Sequence, residues 1–223
     1  MTWLDKLERK MGKFKIPNLM LYIVIGNLMV YIFDILFLAK GMQSFDGYLA
    51  FIPSLIANGQ IWRVLTFVLV PPSTSPVLLL FTLYFYYFIG TSLESAWGSF
   101  RFTFYYVVGM IGSIIAGLIT GYATAFYLNM SLFFAFAVLY PNQKVLLFFF
   151  IPIKIKYLGL IDAAFFVYSI FTAPFFGKIA AIMAIVNFLI FFGPSFVSTL
   201  RMQIKQKKAR MDFQKKMNQS WRH

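Results

Sequence analysis

Asn129 and Ser131 stand near the head of an apolar run that continues to Tyr140. A serine in such a run has two uses. It can attack a carbonyl, or it can tie one helix to another by a hydrogen bond. Attack requires a general base within hydrogen-bond reach and donors for the charge that develops. Bases are scarce here. The one histidine is His223, at the extreme C-terminal end of the sequence. Asn187 lies 56 positions after Ser131, but a carboxamide has no usable basicity near neutral pH. Lys154 and Lys156 fall on the opposite side of the membrane from Ser131, and Asp34, near the outer edge, is a weak substitute. The sequence has no metal-ligand cluster, Gly-rich phosphate loop or nucleophile elbow. It also has no cysteine, which excludes disulfides and thiolate metal sites. No cofactor is implied. Asn129-Met130-Ser131 reads formally as a glycosylation sequon, unreachable inside a membrane helix.

The elements that place these residues follow from composition. With 61% hydrophobic and 12% charged residues and 29 Phe, the chain is neither a soluble globule nor disordered; it reads as an all-α polytopic membrane protein. Residues 1–15 form an interfacial basic amphipathic segment, with Trp3, Leu7, Met11 and Phe14 as a helical stripe. Residues 16–200 form one membrane domain of six helices. The first runs from about Pro17 to Ala39. A long first loop over 40–75 is too polar to span, with Phe51-Ile52, Leu55-Ile56 and Trp62 sinking into the outer leaflet. The second helix runs from about Pro76 to Leu93 and is closed by Glu94 to Ser99. The third, about Phe102 to Tyr122, carries Gly109, Ser113, Gly117 and Gly121 at four-residue intervals, a small-residue face for close helix packing. The fourth, Ala125 to Tyr140, rises only about 24 Å against a ~30 Å hydrocarbon core. Val145 to Pro152 is an extended or re-entrant segment. The fifth helix is about Tyr157 to Ala173, and the sixth about Lys178 to Thr199. Residues 201–223 are a basic tail. No removable signal peptide is expected at the N-terminus.

Six spans place both termini on one side. That side collects five Lys or Arg before the first helix, Arg101, three in the loop before the fifth helix and eight in the tail. The other side has Lys40, Arg63 and Lys178. The asymmetry predicts cytoplasmic N- and C-termini. It also accounts for the net charge of +13 through membrane-surface lipids, with no nucleic-acid partner.

Several stretches resemble one superfamily. Gly59-Gln60-Ile61-Trp62-Arg63-Val64-Leu65-Thr66 is similar to the Trp-Arg segment in the first loop of rhomboids and derlins. Leu93-Glu94-Ser95-Ala96-Trp97-Gly98-Ser99 matches the Leu-Glu-x-x-x-Gly-Ser that ends the second rhomboid helix. Asn129-Met130-Ser131-Leu132 sits where rhomboid proteases carry Gly-x-Ser-Gly, and Asn187 sits where they carry the histidine. The likeness covers roughly residues 15–200 and implies a six-helix rhomboid-like bundle with an interfacial first loop. It also implies structural roles for Trp62, Arg63, Glu94 and Gly98.

The departures from the family pattern imply a different activity. Its histidine is replaced by Asn187. Its oxyanion pair, His-x-x-x-Asn on the second helix, is replaced by Leu78 and Thr82. The resemblance is therefore to a derlin-like pseudoprotease, not an enzyme. Such a protein binds transmembrane clients, perturbs the local bilayer and acts in membrane-protein quality control. A cytoplasmic AAA ATPase or protease is the implied partner, although the Phe-x-Gly-x-Gly motif that many derlins use is missing. Asn129, Ser131, Asn187 and Thr82 then form either an interhelical polar group or a client-binding one. The alternatives are a diverged intramembrane serine protease and a transport or lipid-perturbing scaffold. The Lys/Phe/Ile-rich composition points to a bacterial plasma membrane over the endoplasmic reticulum. Client identity and oligomeric state are not encoded in any motif.

Overall fold

The structure is a computed structural model that describes residues 3–147, 151–175 and 177–192. The expected end of the sixth helix at Thr199, the basic tail 201–223 with His223, and Phe148 to Phe150 lie outside the described residues. The chain divides into two compact units, Met1–Asn187 and Phe188–His223. Every residue of the candidate site belongs to the first.

Four described helices are long and apolar enough to cross a membrane: α2 (Leu19–Ala39), α5 (Pro76–Trp97), α6 (Ser99–Thr120) and α8 (Ile155–Thr172). These are the helices of an integral, multi-pass membrane protein. Two further apolar helices are shorter, α7 (Phe126–Leu139) and α9 (Gly177–Phe192). Ahead of them lies α1 (Trp3–Met11), which Glu8 ties to Arg101 of α6 by an ion pair at 3.1 Å. The apolar residues divide by face. On α8, Ile155, Gly159, Asp162, Phe166 and Ser169 are buried, a stripe at helical spacing, while Leu160, Tyr168 and Phe171 project outward. A helix that is apolar on its outward face suits lipid as its neighbour.

The first loop is folded onto the bundle. It contains two short helices, α3 (Pro53–Ala57) and α4 (Arg63–Thr66), flanked by 3-10 turns. Phe51 does not sink into lipid as its apolar loop context suggests. It is fully buried, edge-on to Phe67 at 5.9 Å, and bridges backbone to backbone with Ala123. Gly117 makes room for it, since a Cβ there would collide with the Phe51 ring and Ala123.

The α5 helix runs a turn further than its sequence suggests. Glu94 to Trp97 continue it, and Gly98 alone joins it to α6 at φ +84° and ψ 154°. Only glycine adopts that backbone without strain. Between α7 and α8 the expected extended segment is an antiparallel pair, β1 (Lys144–Leu147) with β2 (Ile151–Lys154).

Candidate functional site

Ser131 is buried in the first half of α7, which packs against α5, α6 and α8. Its hydroxyl donates to the Leu128 carbonyl at 2.8 Å and accepts from the Tyr105 hydroxyl at 3.2 Å. The same tyrosine hydroxyl also reaches the Ser131 carbonyl at 3.1 Å. Asn187 donates through Nδ2 to the Tyr105 carbonyl at 3.4 Å. Ser131 and Asn187 thus meet through Tyr105 of α6, each on a different atom of it. Gly109 clears the space, because a Cβ there would strike Leu128 and the Asn187 amide.

Asn129 belongs to a different cluster. It faces a cavity of about 190 Å³ lined by Asn27, Tyr86, Tyr122 and Phe126, with Pro71 and Pro72 of the first loop above. Asn129 Oδ1 is buried with no partner among the described residues. Asn27 is held rigidly, donating to the Ile23 and Val68 carbonyls at 2.8 and 3.2 Å. Tyr86 lies within electrostatic reach of Tyr106, whose buried hydroxyl also has no partner among the described residues. Thr82 is half-buried on α5 one turn from Tyr86, while Leu78 is half-exposed.

The remaining motif residues brace the frame. Glu94 accepts the Asn18 backbone N–H at 2.9 Å and the Ser99 hydroxyl at 2.6 Å. It thereby holds the start of α2, at a left-handed Asn18 (φ 55°), against the α5–α6 turn. Arg63 is buried. Its NH1 donates to the Gly47 and Ala50 carbonyls, and Nε to Gln60 Oε1, each at 2.7 Å. Trp62 is half-exposed and donates to the Tyr48 carbonyl at 3.2 Å. Asp34 accepts from the Ser44 hydroxyl and the Phe45 backbone N–H at 2.5 and 2.7 Å, pinning the loop to the end of α2. On α6, the Ser113 hydroxyl bonds back to the Gly109 carbonyl at 3.1 Å. Gly121 ends the helix at φ +87° with open space around it, so it terminates the small-residue face without packing.

Asp162 was not among the residues that the sequence motifs singled out. It is 4% exposed in the middle of α8, within electrostatic reach of Tyr105, and neither carboxylate oxygen has a partner among the described residues. The signal was available: one acid inside an apolar span is rare and marks function by default. Tyr105 gave no such signal, being one of 13 tyrosines.

Chemically, this collection offers uncharged hydrogen-bonding groups and one isolated carboxyl. Among the described residues no group of His, Cys, Asp and Glu could hold a metal ion. No protein-family model matches the chain, and no curated protein matches its sequence significantly.

Proposed function

We propose that this chain is a rhomboid-like, derlin-like membrane protein without protease activity, which binds transmembrane clients and disturbs the bilayer around it. The observation that carries the reading is the state of Ser131. Its hydroxyl is buried and bonded to Leu128 and Tyr105, and the side chain at the family's histidine position is a carboxamide that bonds a backbone carbonyl. A nucleophile needs a base in that place; a structural serine needs what Ser131 has. Contacts of this kind in bilayers are worth on the order of 0.6 kcal/mol each. Glu94 and Arg63, engaged with the turn and loop that their motifs would brace, favour the same reading.

In this reading α7 and α9 complete six spans, and both termini are cytoplasmic in a bacterial plasma membrane. The 14 residues of α7 rise about 21 Å, well short of a ~30 Å hydrocarbon core. Lipid thinning around such a bundle lowers the barrier to moving partly polar helices. Membrane-protein quality control, with a cytoplasmic ATPase or protease receiving the clients, is the role that fits.

Two measurements test this. A fluorophosphonate probe leaves Ser131 unlabelled, and photo-crosslinkers between α5 and α8 capture other transmembrane proteins in native membranes. Recovery of a cleaved transmembrane peptide from purified protein, with cleavage abolished by Ser131→Ala, would overturn the reading.

A further inference from the structure

Three helix ends meet at one surface of the membrane. α2 begins at Leu19, α5 ends at Trp97 and α6 begins at Ser99, and all three helices are long and apolar enough to cross. Between these ends lies a cleft of about 270 Å³ lined by Asn18, Thr91, Glu94, Ser95, Gly98 and Ser99. The ends of spans mark the edge of the hydrocarbon core, so the cleft opens at the level of lipid headgroups.

Glu94 is the one charged residue in that lining, and it is only 9% exposed. Its Oε1 accepts from two neutral donors, the Asn18 backbone N–H at 2.9 Å and the Ser99 hydroxyl at 2.6 Å. Its Oε2 has no hydrogen bond or ion pair among the described residues, yet it is not one of the sealed atoms without a partner. That oxygen therefore reaches the cleft. No lysine or arginine lines the cleft with it. A carboxylate so far withdrawn from water, and held by neutral donors alone, is completed by a cation.

The lining selects the kind of cation. It holds no aromatic ring, so a quaternary ammonium finds no face to rest on. It holds one acid and no histidine or cysteine, which is poor company for a metal ion. Hydroxyl oxygens it does hold: Ser95 is exposed, and Thr91 keeps lone pairs free because its hydroxyl donates to the Tyr87 carbonyl at 2.8 Å. A primary ammonium carries three N–H donors, one for Oε2 and the others for hydroxyls or water. The volume is several times the ~30 Å³ share of one water, room for an ammonium and the carbons that carry it. Just ahead of Asn18, Phe14 and Ile16 are exposed apolar side chains. The Ile16 N–H donates to the Thr103 hydroxyl of α6 at 3.1 Å, which keeps this apolar segment against the bundle and suits a ligand with acyl chains. We infer that the cleft binds a primary ammonium, presented by the headgroup of an ethanolamine-type phospholipid. The site goes beyond the client reading and does not rest on it.

The test is native mass spectrometry of the full-length protein in detergent, with equimolar phosphatidylethanolamine and phosphatidylcholine of the same acyl chains, and separately with free ethanolamine. The ethanolamine lipid should be retained about fivefold over the choline lipid, with free ethanolamine not retained. Glu94→Gln keeps the Oε1 acceptor that braces Asn18 and Ser99 but turns the free oxygen into a donor, and should bring the two lipids to parity. Ser95→Lys, at an exposed position, places a competing ammonium at the cleft and should do the same. Should Glu94→Gln fail to fold, Ser95→Lys decides. Retention of free ethanolamine in place of the lipid, lost in both variants, keeps the ammonium site and overturns its lipid source. Equal retention of the two lipids by the unmodified protein without binding of ethanolamine, or a preference that survives both substitutions in folded protein, overturns the site.

Discussion

Asp162 sets the sharpest question about a single side chain. A buried carboxyl without a hydrogen bond costs free energy in any protonation state, and inside a bilayer water cannot help it. Leucine has nearly the same shape and no polar atom. If the helices alone surround this residue, Asp162→Leu raises the melting temperature, by a gain of about 1–3 kcal/mol. A fall instead means that Asp162 holds a bound group, and retention of so costly a residue then has its reason. Thermal unfolding in detergent micelles and again in nanodiscs decides between the two. Asn187 and Ser131 sit at the modest end of the same logic. Each bonds Tyr105, so Ser131→Ala should shift stability by less than about 1 kcal/mol, measured in the same assay.

Among the helices, glycines carry the most exposed predictions. Gly109 lies where Leu128 of α7 and Asn187 of α9 both press on α6. Gly109→Val should force these apart and cost about 1–3 kcal/mol, seen as a lower melting temperature together with loss of the Asn187–Tyr105 contact. Gly121→Ala, with open space but φ +87°, should cost about 1 kcal/mol through backbone strain alone. The same helices show what a sequence can and cannot disclose. Their extents follow from apolar runs, since only a helix long enough to cross is stable in lipid. The end of α5 is misjudged because Glu94, Ser95 and Gly98 look like a loop, whereas Glu94 is polar because it faces inward to hold Asn18 and Ser99. Phe51 is misplaced for a related reason. Lipid and protein interior are equally apolar, so the residue type does not say which one a loop phenylalanine meets. The split of Asn129 from Ser131 is invisible for another: two residues apart on a helix point in directions about 200° different, and only the neighbouring helices decide which of the two meets a cavity.

For the molecule in its membrane, orientation is the outstanding property, and the chain lends itself to measuring it. With no native cysteine, single cysteines can be placed one at a time without background. In the proposed topology a cysteine at Gly12 or Gln143 is labelled by a membrane-impermeant maleimide only after the cytoplasmic side is opened. One at Gly59 or Gly41 is labelled in intact cells. Labelling of Gly12 and Gly59 from the same side would remove the six-span arrangement, because an odd number of crossings between them is what it requires.

The clamp on Arg63 bears on what happens outside the membrane. Its donors end on two carbonyls and one carboxamide, and none of those acceptors is an acid. Dissolved salt weakens attraction between ions, but it has little purchase on a buried guanidinium held by neutral oxygens. Acidification likewise finds no carboxylate within the clamp to neutralise. The segment that Arg63 ties together, from Gly47 and Ala50 to Gln60, is therefore built to keep its shape while the surrounding fluid changes in ionic strength and acidity.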